Sequence, residues 1–392
     1  MPCPPCSLCS LCPLCPLRYS CGVRALIGSY SVPSPWAGAP GAHGDGIVGV
    51  DTGAGAASAE SASLGPAPTP ALDAAAAGGW RAAERNPSVL ALAADGAVWA
   101  VTEPERGGEV LRYAAGHGGW PAQAPPARVA TGSDAPCHLA LAPGLALVSH
   151  YYGGAVAAIA CDAAGVPVRL AATITLPERG AGWDRSRRRS RPHAVLVLPD
   201  GAHFLVADCG RDLLALFRWD RELAAAELRA ALPLAPGTGP RHLARHPASG
   251  AVLVSNQGSG GVTVVEVSPG PGGAPAGLRV RQTVAGAGLG RERPVPSEIA
   301  VHPGGAAAVL ANRSDNSLTV YAVSASGELT ERATVDSRGE NPRHFAFSPD
   351  GTALWVAHQD SDEVTAFGWV GGLPVDPIRI PVATPTAVLF VA

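Results

Sequence analysis

The chain has 392 residues, 29 basic against 32 acidic side chains, a formal net charge of −3, 47% apolar but only 5% aromatic residues, and 48 Gly with 38 Pro. That is one large domain or two ordinary ones with enough apolar residues to bury a core; the charge balance, with no basic stripe over most of the length, implies no nucleic-acid partner. No run of 18 apolar residues occurs, which argues against a spanning helix, so no membrane partner is expected.

Every basic residue is Arg, and with Ala, Gly and Pro also abundant the coding sequence looks GC-biased. Ala at an apolar position and Arg at a surface position therefore carry reduced information.

Six of the nine Cys precede residue 22, at Cys3, Cys6, Cys9, Cys12, Cys15 and Cys21. In a polyproline II segment the first five would line one face, a pattern compatible with a soft metal or palmitate. The plainer reading, adopted here, is a disordered leader over 1–22. Cys137, Cys161 and Cys209 stand alone, without zinc spacing, and read as small buried residues in a reducing compartment.

From residue 23 onward a phrase built on Pro recurs: Asn86-Pro87-Ser88, Ala135-Pro136-Cys137-His138, Arg191-Pro192-His193, Gly239-Pro240-Arg241-His242, Val295-Pro296-Ser297-Glu298, Asn341-Pro342-Arg343-His344 and Thr384-Pro385-Thr386. Each opens a unit of an apolar run, a turn such as Pro199-Asp200-Gly201 or Pro349-Asp350-Gly351, a second run ending in a polar residue, an alternating third run such as Val262 to Val267, and a variable fourth. Asp-Gly between apolar runs is a hairpin signal. Four short antiparallel strands repeated every 43 to 56 residues predict an all-β fold, a seven-bladed β-propeller over 23–392. A pair of β-sandwiches explains neither the Pro phrase nor the orphan strands at the two ends. The seventh unit is split: Ala387 to Val391 supplies an innermost strand, Val23 to Ile27 and Ile47 to Val50 the second and third, so pairing of the C-terminal strand with N-terminal ones closes the ring and leaves no open edge. Segments 31–45 and 52–79 read as surface loops of that blade.

In a four-stranded meander the start of the first strand and the end of the second share a face. The predicted channel mouth therefore gathers His138, His193, Arg241, His242, Glu298, Arg343 and His344, with Glu103, His150, Asp208, Asn256, Asn312 and His358 as a second ring. A convergent set of His, Arg and Glu in a funnel suits a ligand or active site. The competing reading is that each residue merely caps a strand or bonds backbone. The residue after Pro varies from blade to blade, as holding one asymmetric ligand requires.

At these phrases the sequence resembles the lactonase family of seven-bladed propellers, which includes the cycloisomerase-type 6-phosphogluconolactonases and carboxy-muconate cyclase. The carrying residues are Pro192-His193 ahead of Pro199-Asp200-Gly201, Gly239-Pro240-Arg241-His242-Leu243 with Asn256, Ser297-Glu298-Ile299 with Asn312-Arg313, and Asn341-Pro342-Arg343-His344-Phe345 with Ser348-Pro349-Asp350-Gly351. The resemblance implies lactone cleavage or formation without a metal or other cofactor. Its catalytic residues would be His193, Glu298, Arg241 and Arg343, and its substrate contacts His138, His242, His344, Asn256, Asn312 and Asp208. It also implies a small-molecule lactone, most simply 6-phosphoglucono-1,5-lactone, and a monomeric cytoplasmic enzyme of the pentose phosphate pathway. Where relatives have a short Arg-Gln phrase before Pro-His, this chain has Asp184 to Arg191, and the register of Arg187, Arg188 and Arg189 is open. His193 or Glu298 suits the base, and Arg241 with Arg343 suits an oxyanion or an anionic substituent. A muconate-type cyclase, whose dianionic substrate would use the same arginines, and a non-catalytic binding propeller remain as alternatives.

Overall fold

A computed structural model of the chain describes residues 23–34, 39, 41–52, 80–178, 189–286 and 288–391; the expected leader, nearly all of the 52–79 insertion and Arg185 to Arg188 lie outside them. The described residues form seven four-stranded antiparallel sheets in a ring, with no α-helix among them. No helix among the described residues is long and apolar enough to cross a membrane.

Each Pro phrase opens an innermost strand: Pro87–Leu92, Pro136–Ala142, Pro192–Val197, Pro240–Arg245, Pro296–Val301 and Pro342–Phe347 in blades 2 to 7, and Pro385–Val391 in blade 1. Closure is as the split unit predicted. Pro385–Val391 pairs antiparallel with Arg24–Ser29, Leu26 opposite Leu389, and Arg24–Ser29 pairs in turn with Ile47–Asp51. The sequence did not reveal the blade's fourth strand, the two-residue Arg81–Ala82 against Ile47 and Val48. The 31–45 segment is also more than a surface loop, since Ser34, Ala39 and Ala42 are buried.

Packing repeats with the blades. Seven apolar clusters each join two neighbours: Trp355, Ala366 and Phe390 fuse blade 7 to blade 1, while Phe204, Phe217 and Leu147 fuse blade 3 to blade 4. Because both faces of every blade are covered, the second strands read as nearly continuous apolar runs, Val252 to Val254 or Ala308 to Leu310. Cys137 is buried in this fabric, and Cys161 and Cys209 are half-buried free thiols.

Pro cannot donate to the ladder, so it fits the first position of a strand. The register then slips just after it in blades 2 to 7: between Pro192 and Ala194, between Pro240 and Leu243, between Pro296 and Ile299, between Pro342 and His344. A bulge of this kind bends the strand and re-aims the unpaired side chain. Here it frees His193, Arg241, His242, Ser297, Glu298 and Arg343 from the ladder at the channel mouth.

Candidate active site

The bulges bring the predicted histidines, arginines and glutamate together. His242 sits at the centre: its Nδ1 is 2.6 Å from Glu298 Oε2, and its ring meets those of His138 and His193 edge to face, with centroids 5.3 and 5.2 Å apart. His344 Nε2 is 3.5 Å from the same Glu298 oxygen. Tautomers follow from the partners. His138 Nδ1 accepts the Val195 N–H and His344 Nδ1 accepts the Val388 N–H, so in their neutral forms both carry the proton on Nε2. His242 faces a carboxylate through Nδ1, donates there, and keeps a lone pair on Nε2.

Three guanidinium groups adjoin this cluster. Arg343 is held on several sides. It donates to the Tyr30 hydroxyl at 2.5 Å and to Gln359 Oε1 at 3.1 Å, lies 3.8 Å from Glu103 Oε2, and has its guanidinium carbon 4.9 Å from the centre of the Tyr30 ring. Tyr30 in turn donates to Glu103 Oε2 at 2.9 Å. Arg241 differs: it is 3% exposed, yet its Nε and one terminal nitrogen have no hydrogen-bond partner, and neither does Arg313 Nε. A buried donor of that strength without an acceptor is costly.

The charges shape one another. Burial first, and then Arg343, draw Arg241 down to about 10; burial, Arg241 and Arg343 draw Arg313 to about 9. Burial and the nearby arginines hold His242 and His193 well below the ordinary imidazole value, and burial takes His138 to about 3 and His344 to about 4. All four rings are therefore neutral at neutral pH. Burial raises the Glu298 carboxyl, and His344 and Arg241 pull it back. A neutral imidazole with a free lone pair, a carboxylate behind it and unpaired arginines beside it can activate water against a carbonyl.

The other predicted contacts are placed elsewhere. Asp208 Oδ1 accepts the N–H groups of Arg191, Gly210 and Arg211 and its Oδ2 the Ser190 hydroxyl, which ties together the loops flanking His193. Asn256 donates to Thr263 and Asn312 to Ser317 and Thr319, inside their own blades. His150 and His358 are fully buried. Strand parity explains this. Each of these residues lies opposite its blade's Pro as the last rung of the second strand, and the residue one step further on turns toward the mouth. That ring is Tyr30, Glu103, Tyr151, Cys209, Gln257, Arg313 and Gln359. Only Glu103 had been picked out, although Arg313 stood in the quoted Asn312-Arg313 phrase. Among the described residues no group of His, Cys, Asp and Glu is arranged to hold a metal ion.

A closed ring of seven four-stranded antiparallel sheets defines a seven-bladed β-propeller. The chain belongs to the lactonase family of seven-bladed β-propellers, whose family model matches residues 72–390. It is 27% identical over 266 residues to the 6-phosphogluconolactonase of Bacillus subtilis, covering 65% of this chain and 73% of that protein. Among solved structures, the periplasmic gluconolactonase of Pseudomonas aeruginosa superposes with a TM-score of 0.76 at 24% identity, over 95% of this chain and 99% of the other. A protein of Bacteroides fragilis described as a candidate 6-phosphogluconolactonase gives 0.74 at 23% identity, over 95% and 98%. At those identities the two structures establish the shared fold.

Proposed function

We propose that the chain hydrolyses a sugar lactone, with 6-phosphoglucono-1,5-lactone as substrate and 6-phosphogluconate as product. The observation that carries this reading is the buried Arg241 guanidinium, unpaired and set beside a neutral His242 whose outer nitrogen is free. In this mechanism His242 Nε2 takes a proton from water as the oxygen attacks the lactone carbonyl carbon. Arg241 and Arg313 donate to the oxyanion as it forms, in a site dry enough for that charge to count. Collapse breaks the bond to the ring oxygen, and the His242 imidazolium returns the proton to that leaving alkoxide. Glu298 keeps the His242 proton on Nδ1 and steadies the imidazolium, the orienting role a carboxylate plays behind a catalytic histidine. The sequence reading left the base open between His193 and Glu298; this mechanism gives that role to His242, with the His193 ring lying between His242 and Tyr151.

The reading carries with it the pentose phosphate pathway and a cytoplasmic setting, in which Cys137, Cys161 and Cys209 stay reduced. Its test is direct. The purified full-length chain with a chelator present accelerates opening of 6-phosphoglucono-1,5-lactone above the spontaneous rate. Rates equal to buffer on both phosphorylated and plain sugar lactones overturn it.

A further inference from the structure

A cavity lies beside the His242 cluster. Its volume is about 320 Å³ and its lining includes Tyr151, Arg189, Arg191, Cys209 and Gln257, so it lies at the small end of ligand pockets. Three of these residues belong to the ring one step beyond the second strands. The cavity and the cluster share a wall: the Tyr151 ring meets the His193 ring edge to face, centroids 5.6 Å apart, and His193 meets His242 in the same way. His193 thus stands between the cavity's Tyr151 and the cluster's His242.

We infer that this cavity is a subsite for a phosphate monoester carried at the far end of the lactone. This rests on the lactonase reading for which end of the substrate lies at His242. Two guanidinium groups flank the space. Arg191 is fixed by its donation to the Tyr151 hydroxyl at 3.3 Å and by stacking of its guanidinium carbon 5.2 Å from the centre of that ring. Arg189 is anchored through one nitrogen to the Tyr152 carbonyl at 2.9 Å. Each anchor uses one donor of a five-donor fork, and the remaining donors suit phosphate oxygens. The carboxylate on the wall, Asp212, is turned to the backbone, its two oxygens accepting the N–H groups of Gly237 and Gly239, at 2.9 and 2.5 Å. Backbone closes the floor. A Cβ on Gly239, which sits at φ +57°, would come 2.8 Å from the Gly258 nitrogen, and one on Gly258 would come 2.3 Å from the Gly237 carbonyl oxygen. The space is therefore kept by residues without side chains, and the charged groups reach over it.

Such an arrangement would sort substrates by the anion and leave the reacting carbonyl to the arginines of the central cluster. The full-length chain and the variant Arg189→Gln/Arg191→Gln are compared on 6-phosphoglucono-1,5-lactone and on glucono-1,5-lactone. Binding of the stable acids 6-phosphogluconate and gluconate is titrated alongside. The ratio of kcat/KM for the phosphorylated over the plain lactone is expected to fall about tenfold or more, the size of one lost charge-assisted hydrogen bond, and Arg191→Lys is expected to retain part of it. The preference for 6-phosphogluconate over gluconate falls in parallel. A ratio that stays within about twofold of the wild type while lactone hydrolysis proceeds overturns the subsite and leaves the lactonase reading in place. A chain that prefers 6-phosphogluconate through Arg189 and Arg191 but opens no lactone supports the subsite and overturns that reading.

Discussion

The fully buried His150 and His358 should make the ring labile to acid by an amount that follows from their surroundings. Neither ring makes a well-aligned hydrogen bond, though backbone groups lie close to both. Burial takes His150 to about 4, with backbone groups of Ala155 and Val148 offsetting part of the effect, and His358 to about 3. In the unfolded chain both return to about 6.5. Below that value the unfolded state binds protons that the folded state refuses, so stability is complete above it and is lost as pH falls toward the folded values. From about pH 7 to about pH 5 each residue costs about 2 kcal/mol, together about 4 kcal/mol, against a total of about 5–15 kcal/mol for a typical protein. Denaturant titrations of the wild type and of His150→Gln/His358→Gln across that range measure the loss. The other buried histidines titrate in both proteins and cancel in the comparison. The wild type should lose about 4 kcal/mol more than the variant on acidification, even if the variant is weaker throughout. Equal losses would mean that these imidazoles reach water or a charge partner, and the placement inside the blades would be wrong.

Three shorter predictions concern the mouth. Glu298→Gln and His242→Asn should each lower kcat for lactone opening by about a hundredfold or more, with the melting temperature showing that the ring survives; undiminished rates would remove the dyad from the mechanism. Because burial and the nearby arginines hold His242 low, kcat/KM should stay flat as pH falls through about 6.5, where an ordinary imidazole is half protonated. Arg241→Gln should move that acid limb upward as well as slow the reaction, and an unmoved limb would show that Arg241 does not face the base. Burial pushes the Cys137 thiol up to about 12, so iodoacetamide should label Cys137 only after unfolding, which mass spectrometry of the alkylated peptides checks.

How much of this was legible in the sequence depended on which physical signal carried it. The fold rested on a repeat, and a repeat is counted, so both the number of blades and the closing strand could be read from the spacing of Pro87 through Pro385. The Pro+1 and Pro+2 residues were legible for the same reason: each sits at a fixed offset from a proline that begins an innermost strand. The second ring failed on parity. Side chains on a strand alternate with a period of two, and taking the last rung instead of the next residue exchanges the blade interior for the channel mouth. Asp208, Asn256 and Asn312 thus bind their own blades, and Cys209, Gln257 and Arg313 replace them at the mouth. Nothing short of a register assignment shows that difference, because Asn312 and Arg313 are equally plausible polar residues on paper.

Tyr30 was hidden for another reason. In blades 1 and 2 the Pro phrases supply Thr386 and Ser88, short side chains that leave their side of the mouth without charge. The gap is filled by a residue at the end of a strand whose unit is split between the two ends of the chain. Tyr30 and Thr386 come from opposite termini of the described chain, and Tyr30 hydrogen-bonds both Glu103 of blade 2 and Arg343 of blade 7. The contact that closes the ring therefore also fixes one of the three mouth arginines. With Arg343 satisfied by Tyr30, Glu103 and Gln359, the unmet donors are concentrated on Arg241 and Arg313. Tyr30→Phe would release one donor of Arg343 into the same pocket and strip Glu103 of a hydrogen bond. If the division of labour is right, that change raises KM for the lactone, through misplacement of the anion, more than it lowers kcat. Equal effects on the two constants would put Arg343 in the transition state beside Arg241.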